Sequence, residues 1–179
     1  MTALTADNVA GVTADHTTLV ELTPEFFDAA SLWLSQPGIN RWLTSEWRDR
    51  PVTSVVVAMA VRNKRNRLFI IKHGDEACGL AALADIDTGD KTAMAWYLLG
   101  QRGLGGRGIT TRALQQLKHI AFEELGLCSL YAWVMEDNVP SRRVLEKAGF
   151  REAGRIRHAT ASAGRQVDRI YFDIIPDVQ

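Results

Sequence analysis

The lysine-bearing phosphate loop does not occur in this chain. G-x-x-x-x-G-K-[ST] is absent because Ile109, not lysine, precedes Thr110. Cysteine is scarce: Cys78 and Cys128 have no metal-ligand spacing, so no metal is expected, and their apolar, strand-like surroundings predict buried free thiols in a reducing cytoplasm. Neither sign of charge is in excess, since 21 Lys plus Arg balance 21 Asp plus Glu, which leaves nothing to draw the chain to nucleic acid or an anionic membrane surface. No apolar run is long enough for a transmembrane span. Residues 1–16 are small and polar, with Asp7 and Asp15, and lack the basic and apolar regions of a signal peptide; a flexible leader is expected there. No repeat, linker or low-complexity tract divides residues 17–179, which are expected to form a single cytoplasmic domain.

What is present suits a packed core: 46% of the 179 residues are hydrophobic. Alternation over Thr17–Thr23 reads as a first strand. Thr23, Pro24 and Glu25 then supply an N-cap, a proline at the first helical position and an acidic first turn, predicting a helix to Leu34. Pro37-Gly38 breaks it. Residues 39–50 are aromatic and charged, and Trp33, Trp42 and Trp47 crowd there, forming either a packed helix-helix corner or the floor of a substrate pocket. Pro51 is placed to open a second helix to about Asn63. Strands over 68–72, 77–86 and 92–99, with turns at 73–76 and 87–90, read as an antiparallel meander.

The third of those strands runs into a loop holding Gly103, Gly105, Gly106 and Gly108, and the loop runs into a helix over 108–125 whose first turn carries Thr110 and Thr111. Glycine lets backbone N–H groups turn toward a ligand, and the first N–H groups of a helix are unpaired at the positive end of its dipole, so the stretch forms an anion cradle suited to a diphosphate. Glycine-rich turns of this kind also serve as plain connections. Gly126 ends the helix, and 128–135 is a buried strand; the crossover makes it parallel to 92–99 and puts the glycine loop at a strand's carboxyl end. Asn138 then caps a short helix that stops at Gly149, and 151–161 with 166–175 close the chain as a hairpin.

Two of these segments carry a family resemblance. Gly105-Gly106-Arg107-Gly108-Ile109-Thr110 resembles the Q/R-x-x-G-x-G/A acetyl-CoA pyrophosphate loop of the GNAT superfamily of N-acetyltransferases, with Gly105 where Gln or Arg is usual and Thr110 in place of the final small residue. Asn138 to Phe150 resembles that superfamily's N-x-x-S-x-x-x-[LY]-E-K-x-G-F signature, in the form used by the Rim-type ribosomal-protein N-terminal acetyltransferases. The resemblance extends over roughly residues 17–175. It implies an α+β fold: a mostly antiparallel sheet of six or seven strands, splayed between the fourth and fifth (here 92–99 and 129–135) and flanked by about four helices.

The chemistry so implied is attack of a neutral primary amine on the thioester of acetyl-CoA, through a tetrahedral oxyanion, with a thiolate leaving. The acceptor would be a peptide or protein α-amine or a small-molecule amine such as an amino sugar, and the enzyme a monomer or homodimer. Cofactor binding then falls to Leu98, Leu99, Gly105, Gly106, Arg107, Gly108, Ile109, Thr110, Thr111, Asn138 and Arg143, with Arg102 and Arg112 as further charge partners. Many relatives place a tyrosine acid seven residues after the motif asparagine. Leu145 stands there, which leaves Ser141 as the candidate acid and Asn138 as its companion at the thioester. Met94 occupies the place of the usual glutamate base; Glu46, Asp85, Asp87, Glu136 and His158 are the remaining candidates. Trp33, Trp42, Trp47 and Glu46 are expected to form the acceptor site. Two further readings stand beside this one: a related transferase using another acyl-CoA, and an acyl-CoA-binding sensor without turnover.

Overall fold

The computed structural model describes residues 16–48, 51–101, 103–162 and 164–176, so the leader expected over 1–16 lies almost wholly outside it. Strand β1 (Thr17–Glu21) leads through a 3-10 turn (Pro24–Phe26) into α1 (Phe27–Ser35), followed by two single-turn helices, α2 (Pro37–Asn40) and α3 (Ser45–Arg48), and then α4 (Ser54–Arg62). The meander is β2 (Arg67–His73), β3 (Glu76–Asp87) and β4 (Thr92–Leu99). Helix α5 (Ile109–His119) continues into a π-helical turn (Ile120–Glu124), and β5 (Ser129–Met135), α6 (Val139–Lys147), β6 (Arg151–Ser162) and β7 (Arg165–Ile174) complete the chain.

All seven strands form one sheet in the order β1-β2-β3-β4-β5-β7-β6. Every pairing is antiparallel except β4 with β5, as the crossover requires. That parallel pairing is short. It runs from Thr92 opposite Ser129 to Met94 opposite Tyr131 and stops, while β4 stays paired to β3 as far as Leu99 opposite Gly79. From Ala95 onward β4 and β5 therefore diverge as a wedge.

Period-two alternation sorts the core onto two faces. Ile71, Leu83 and Ala95 meet Leu114 and Leu117 of α5 and Leu145 of α6 on one side; Ile70, Leu80 and Leu98 meet Ala30 and Leu34 of α1 and Val57 of α4 on the other. Burying each such leucine contributes roughly 1.5–3 kcal/mol, which is what holds the helices against both faces. Among the described residues no helix is long and apolar enough to cross a membrane.

Three local expectations are corrected. Thr23 is extended, but its hydroxyl donates to Glu25 Oε1 (2.9 Å) and caps nothing. Helix α4 begins at Ser54, not Pro51: Val52 is buried and its carbonyl accepts from Ser35 Oγ (3.2 Å), so the chain turns helical only after Thr53, an extended N-cap whose Oγ1 accepts from Val56 N–H at 3.4 Å. Cys78 is buried, its thiol pushed up to about 11 by burial with Glu76 adding to the shift, but Cys128 is exposed because Leu127 takes the inward position beside it.

Candidate active site

A cavity of about 900 Å³ occupies the wedge and is lined from both faces of the sheet. On the α5–α6 face its wall is the loop from Leu104 to Gly108, followed by Ile109, Thr110 and Thr111. Gly108 is the N-cap of α5 at φ 73, a left-handed conformation that favours glycine, and it brings no side chain to cap the helix. The first N–H groups of α5 therefore face the cavity at the positive end of the helix dipole. Beside them a Cβ on Gly105 or Gly106 would meet nothing within 4 Å, so the loop has room for a bulky anion. This cradle fits a diphosphate, and the apolar wedge leading from it along Leu98 and Leu99 fits a narrow acyl-bearing arm. Arg143 also lines the cavity. Arg107 is exposed and lies outside the lining, Arg112 Nε donates to Thr17 Oγ1 (3.0 Å), and Arg102 lies outside the described residues.

Past the loop, the N-terminus of α6 reaches the same cavity from the end of β5. Asn138 is its N-cap, with Oδ1 accepting from Ser141 N–H at 3.4 Å. Ser141 Oγ lies 2.9 Å from Tyr97 Oη, and the tyrosine hydroxyl is also 2.9 Å from the Ser141 carbonyl oxygen, to which it donates. Burial pushes the Tyr97 phenol well above the ordinary tyrosine range, the Ser141 hydrogen bond pulling it part of the way back. Sequence reasoning missed Tyr97. Its one signal was a polar-tipped aromatic inside an otherwise apolar strand, whose hydroxyl must find a partner when buried.

The other face of the wedge is aromatic. Trp42, Leu43, Trp47, Val56, Met59 and Trp96 line it, with the rings of Trp47 and Trp96 tilted at 54° and 6.1 Å apart between centroids. The turn after α2 and the single-turn helix α3 hold the two outer tryptophans, tied down by Asn40, whose Nδ2 donates to Leu34 O (2.9 Å) and Trp47 O (3.1 Å). Thr44 also lines the cavity, and its buried hydroxyl has no hydrogen-bond partner among the described residues. Trp33 is placed differently from its neighbours. It is 7% exposed and lies in the core, its ring so close to the backbone of Gly100 that a Cβ there would sit 2.2 Å from Trp33 Cγ. It closes the end of β4 and does not line the cavity. The side chain of Glu46 lies outside the described residues.

Of the other carboxylates considered, Asp85 lines the cavity and is the one acidic residue among the described lining residues. It sits on the irregular stretch where β3 and β4 change register, at φ 51, with Arg65 Nη2 4.0 Å away. Asp87 accepts from the N–H groups of Gly89 (2.8 Å) and Asp90 (2.9 Å), which hold its carboxyl below the usual range. Glu136 pairs with Arg155 at 3.7 Å, and the His158 N–H donates to Asp168. None of these three lines the cavity.

Comparison with known proteins agrees with this geometry. Residues 16–151 match the family model described as "Acetyltransferase (GNAT) domain". The chain is 32% identical over 171 residues to "Putative ribosomal N-acetyltransferase YdaF" of Bacillus subtilis (strain 168), covering 90% of this chain and 92% of that protein. Among solved structures it resembles the spermidine N-acetyltransferase from Vibrio cholerae in complex with CoA and spermine (TM-score 0.79, 18% identity, 89% of this chain and 95% of that one). It is also similar to Mycobacterium smegmatis RimJ in complex with CoA-disulfide (TM-score 0.75, 24% identity, 91% and 83%). The chain belongs to the GNAT acetyltransferase family and is an N-acetyltransferase that uses acetyl-CoA.

Proposed function

We propose that the acceptor is an amine of low pKa carrying a single charge, an α-amine at a peptide or protein N-terminus or a small-molecule amine such as an amino sugar, and that it enters the wedge from the side of Trp42 and Trp47. The observation that carries this reading is the lining of that side, which is aromatic and holds one described carboxylate, Asp85. A polyamine would bring several ammonium groups into a wall with one described carboxylate to receive them. An α-amine with a pKa of about 8 is roughly one-tenth neutral at pH 7, whereas a lysine near 10.4 is neutral less than about one time in a thousand, so a site whose described residues hold no strong base favours the former. The ribosomal description carried by the Bacillus subtilis relative points the same way.

Acetyl-CoA, when bound, supplies an acyl carbon open to attack and a sulfur leaving group. The N–H groups at the start of α5 and the Gly105–Gly108 loop hold its diphosphate, with Arg143 nearby; the β5-facing edge of β4 near Leu98 and Leu99 offers N–H groups to the carbonyl oxygen. Asn138 fixes the first turn of α6, and Ser141 gives its hydroxyl proton to the departing sulfur. Asp85 receives the acceptor ammonium before it sheds its proton. We place the enzyme in the cytoplasm, as a monomer or homodimer, with residues 17–179 as one catalytic domain behind a short leader.

The test is a thiol-release assay with acetyl-CoA against α-amino peptides, amino sugars, polyamines and lysine peptides, run beside Ser141→Ala. Turnover fastest on α-amino peptides or amino sugars, and at least about 100-fold slower in the variant, is the expected result. Preference for polyamines or lysine peptides would overturn the acceptor assignment. Tight acetyl-CoA binding with no turnover on any amine would favour the sensor reading instead.

A further inference from the structure

Tyr97 Oη stands 2.9 Å from two oxygens of one residue, the carbonyl and the Oγ of Ser141, and it has one proton to give. When that proton goes to the carbonyl, the Oγ–Oη contact can be a hydrogen bond only if Ser141 donates, and the serine proton then points at the tyrosine and away from the cavity. When it goes to Oγ, the serine proton is released toward the cavity. Both arrangements satisfy the half-buried phenol. Neither strands the carbonyl, which as a first-turn oxygen of α6 faces an N–H one turn on.

We infer that Tyr97 is a positioning residue for the reaction: by moving its hydrogen bond from the Ser141 carbonyl to Ser141 Oγ, it turns the serine proton toward the leaving sulfur. The inference rests on Ser141 acting as the acid. The amine nitrogen bonds to the acyl carbon, the carbon–sulfur bond breaks with its electron pair going to sulfur, and sulfur takes the Ser141 hydroxyl proton. Ser141 regains a proton from the nitrogen that becomes the amide, directly or through one water, while Tyr97 keeps its own throughout. Burial opposes formation of a phenolate at Tyr97, which suits a group that must donate without being consumed. The position of Tyr97 also explains how the chain manages with Leu145 where relatives carry an acid: the phenol comes from β4 and works through the serine.

The experiment is a double-mutant cycle of Tyr97→Phe and Ser141→Ala, with kcat, KM for acetyl-CoA and melting temperature measured on all four proteins. Residues acting in series are non-additive. Tyr97→Phe is expected to lower kcat about tenfold or more with KM within about twofold, and the double variant to be no slower than Ser141→Ala alone. A Tyr97→Phe protein with parental kcat beside a slow Ser141→Ala overturns the role of Tyr97 and leaves Ser141 as the acid. A Ser141→Ala protein with parental kcat overturns the acid assignment itself. Multiplicative losses in the double variant make Tyr97 an independent brace and overturn the inference. If Tyr97→Phe does not fold, a trifluorotyrosine placed at 97 alone keeps the ring and the hydroxyl while strengthening it as a donor; a changed kcat supports the inference and an unchanged one overturns it.

Discussion

Two helix N-termini face the same cavity, and they are finished in opposite ways. Helix α5 starts on Gly108, which contributes no capping side chain, whereas α6 starts on Asn138, whose side chain takes the Ser141 N–H, and its first turn is further braced by Tyr97. An uncapped terminus keeps its N–H groups for a ligand; a capped and braced one spends them on holding a side chain in place. On the mechanism proposed above, the difference separates binding from chemistry. The α5 end is built to receive charge, and the α6 end to present one hydroxyl in a fixed position.

Between the two N-cap positions, Gly108 and Asn138, the larger effect is expected from damaging the α5 end. Gly108→Ala forces an alanine into the left-handed region at a cost of about 1–2 kcal/mol, and its Cβ would stand 3.1 Å from Arg112 Nη1. If that strain falls on the cradle, the KM for acetyl-CoA rises about tenfold, the equivalent of 1.4 kcal/mol, while kcat at saturation changes less. Initial-rate kinetics over acetyl-CoA concentration measure this directly, and a change confined to kcat would erase the division of labour between the two termini. Asn138→Ala makes the reverse experiment at α6. Its cap bond is long at 3.4 Å, so the loss of stability falls toward the low end of the usual range, about 0.5–1 kcal/mol by denaturant unfolding. Its kinetic signature should be a lower kcat with little change in the KM for acetyl-CoA.

The same contrast explains which features could be seen in the sequence. Local features were legible. Asn138, Ser141 and Gly149 act within one short helix, the turns of the meander carry their own glycine and aspartate residues, and a strand, helix and strand of this length dictate a parallel crossover. Features that depend on distant partners were not. The wedge exists because pairing of β4 with β5 stops at Met94 and Tyr131, and no residue at that point announces it. Tyr97 meets Ser141 across 44 positions of chain. On the aromatic side of the wedge Trp42 sits in the turn after α2 and Trp47 on a single-turn helix, both too short for any apolar period, so Trp33 in the core and Trp42 at the cavity wall look alike in sequence. Cys128 likewise turned outward because one step of alternation decides its face.

The smallest predicted effect is an alkaline one, and it tests how far the α6 brace is shielded from water. Tyr97 has its folded pKa raised above the unfolded value by burial. A group shifted that way contributes stability that is fully present below the unfolded pKa of about 10 and is lost as pH climbs past it, because the unfolded chain releases a proton that the folded chain retains. One such proton steepens the fall in stability by up to about 1.4 kcal/mol per pH unit above pH 10. Tyr131, raised chiefly by burial, adds its own share to the parent and to Tyr97→Phe alike, so the difference between the two proteins isolates Tyr97. Urea unfolding at a series of pH values from 8 to 11 should give a shallower alkaline decline for Tyr97→Phe, whatever that variant loses in stability at neutral pH. Parallel declines would mean that water reaches the phenol, and a hydrated Tyr97 could not hold the Ser141 hydroxyl in either of its two settings.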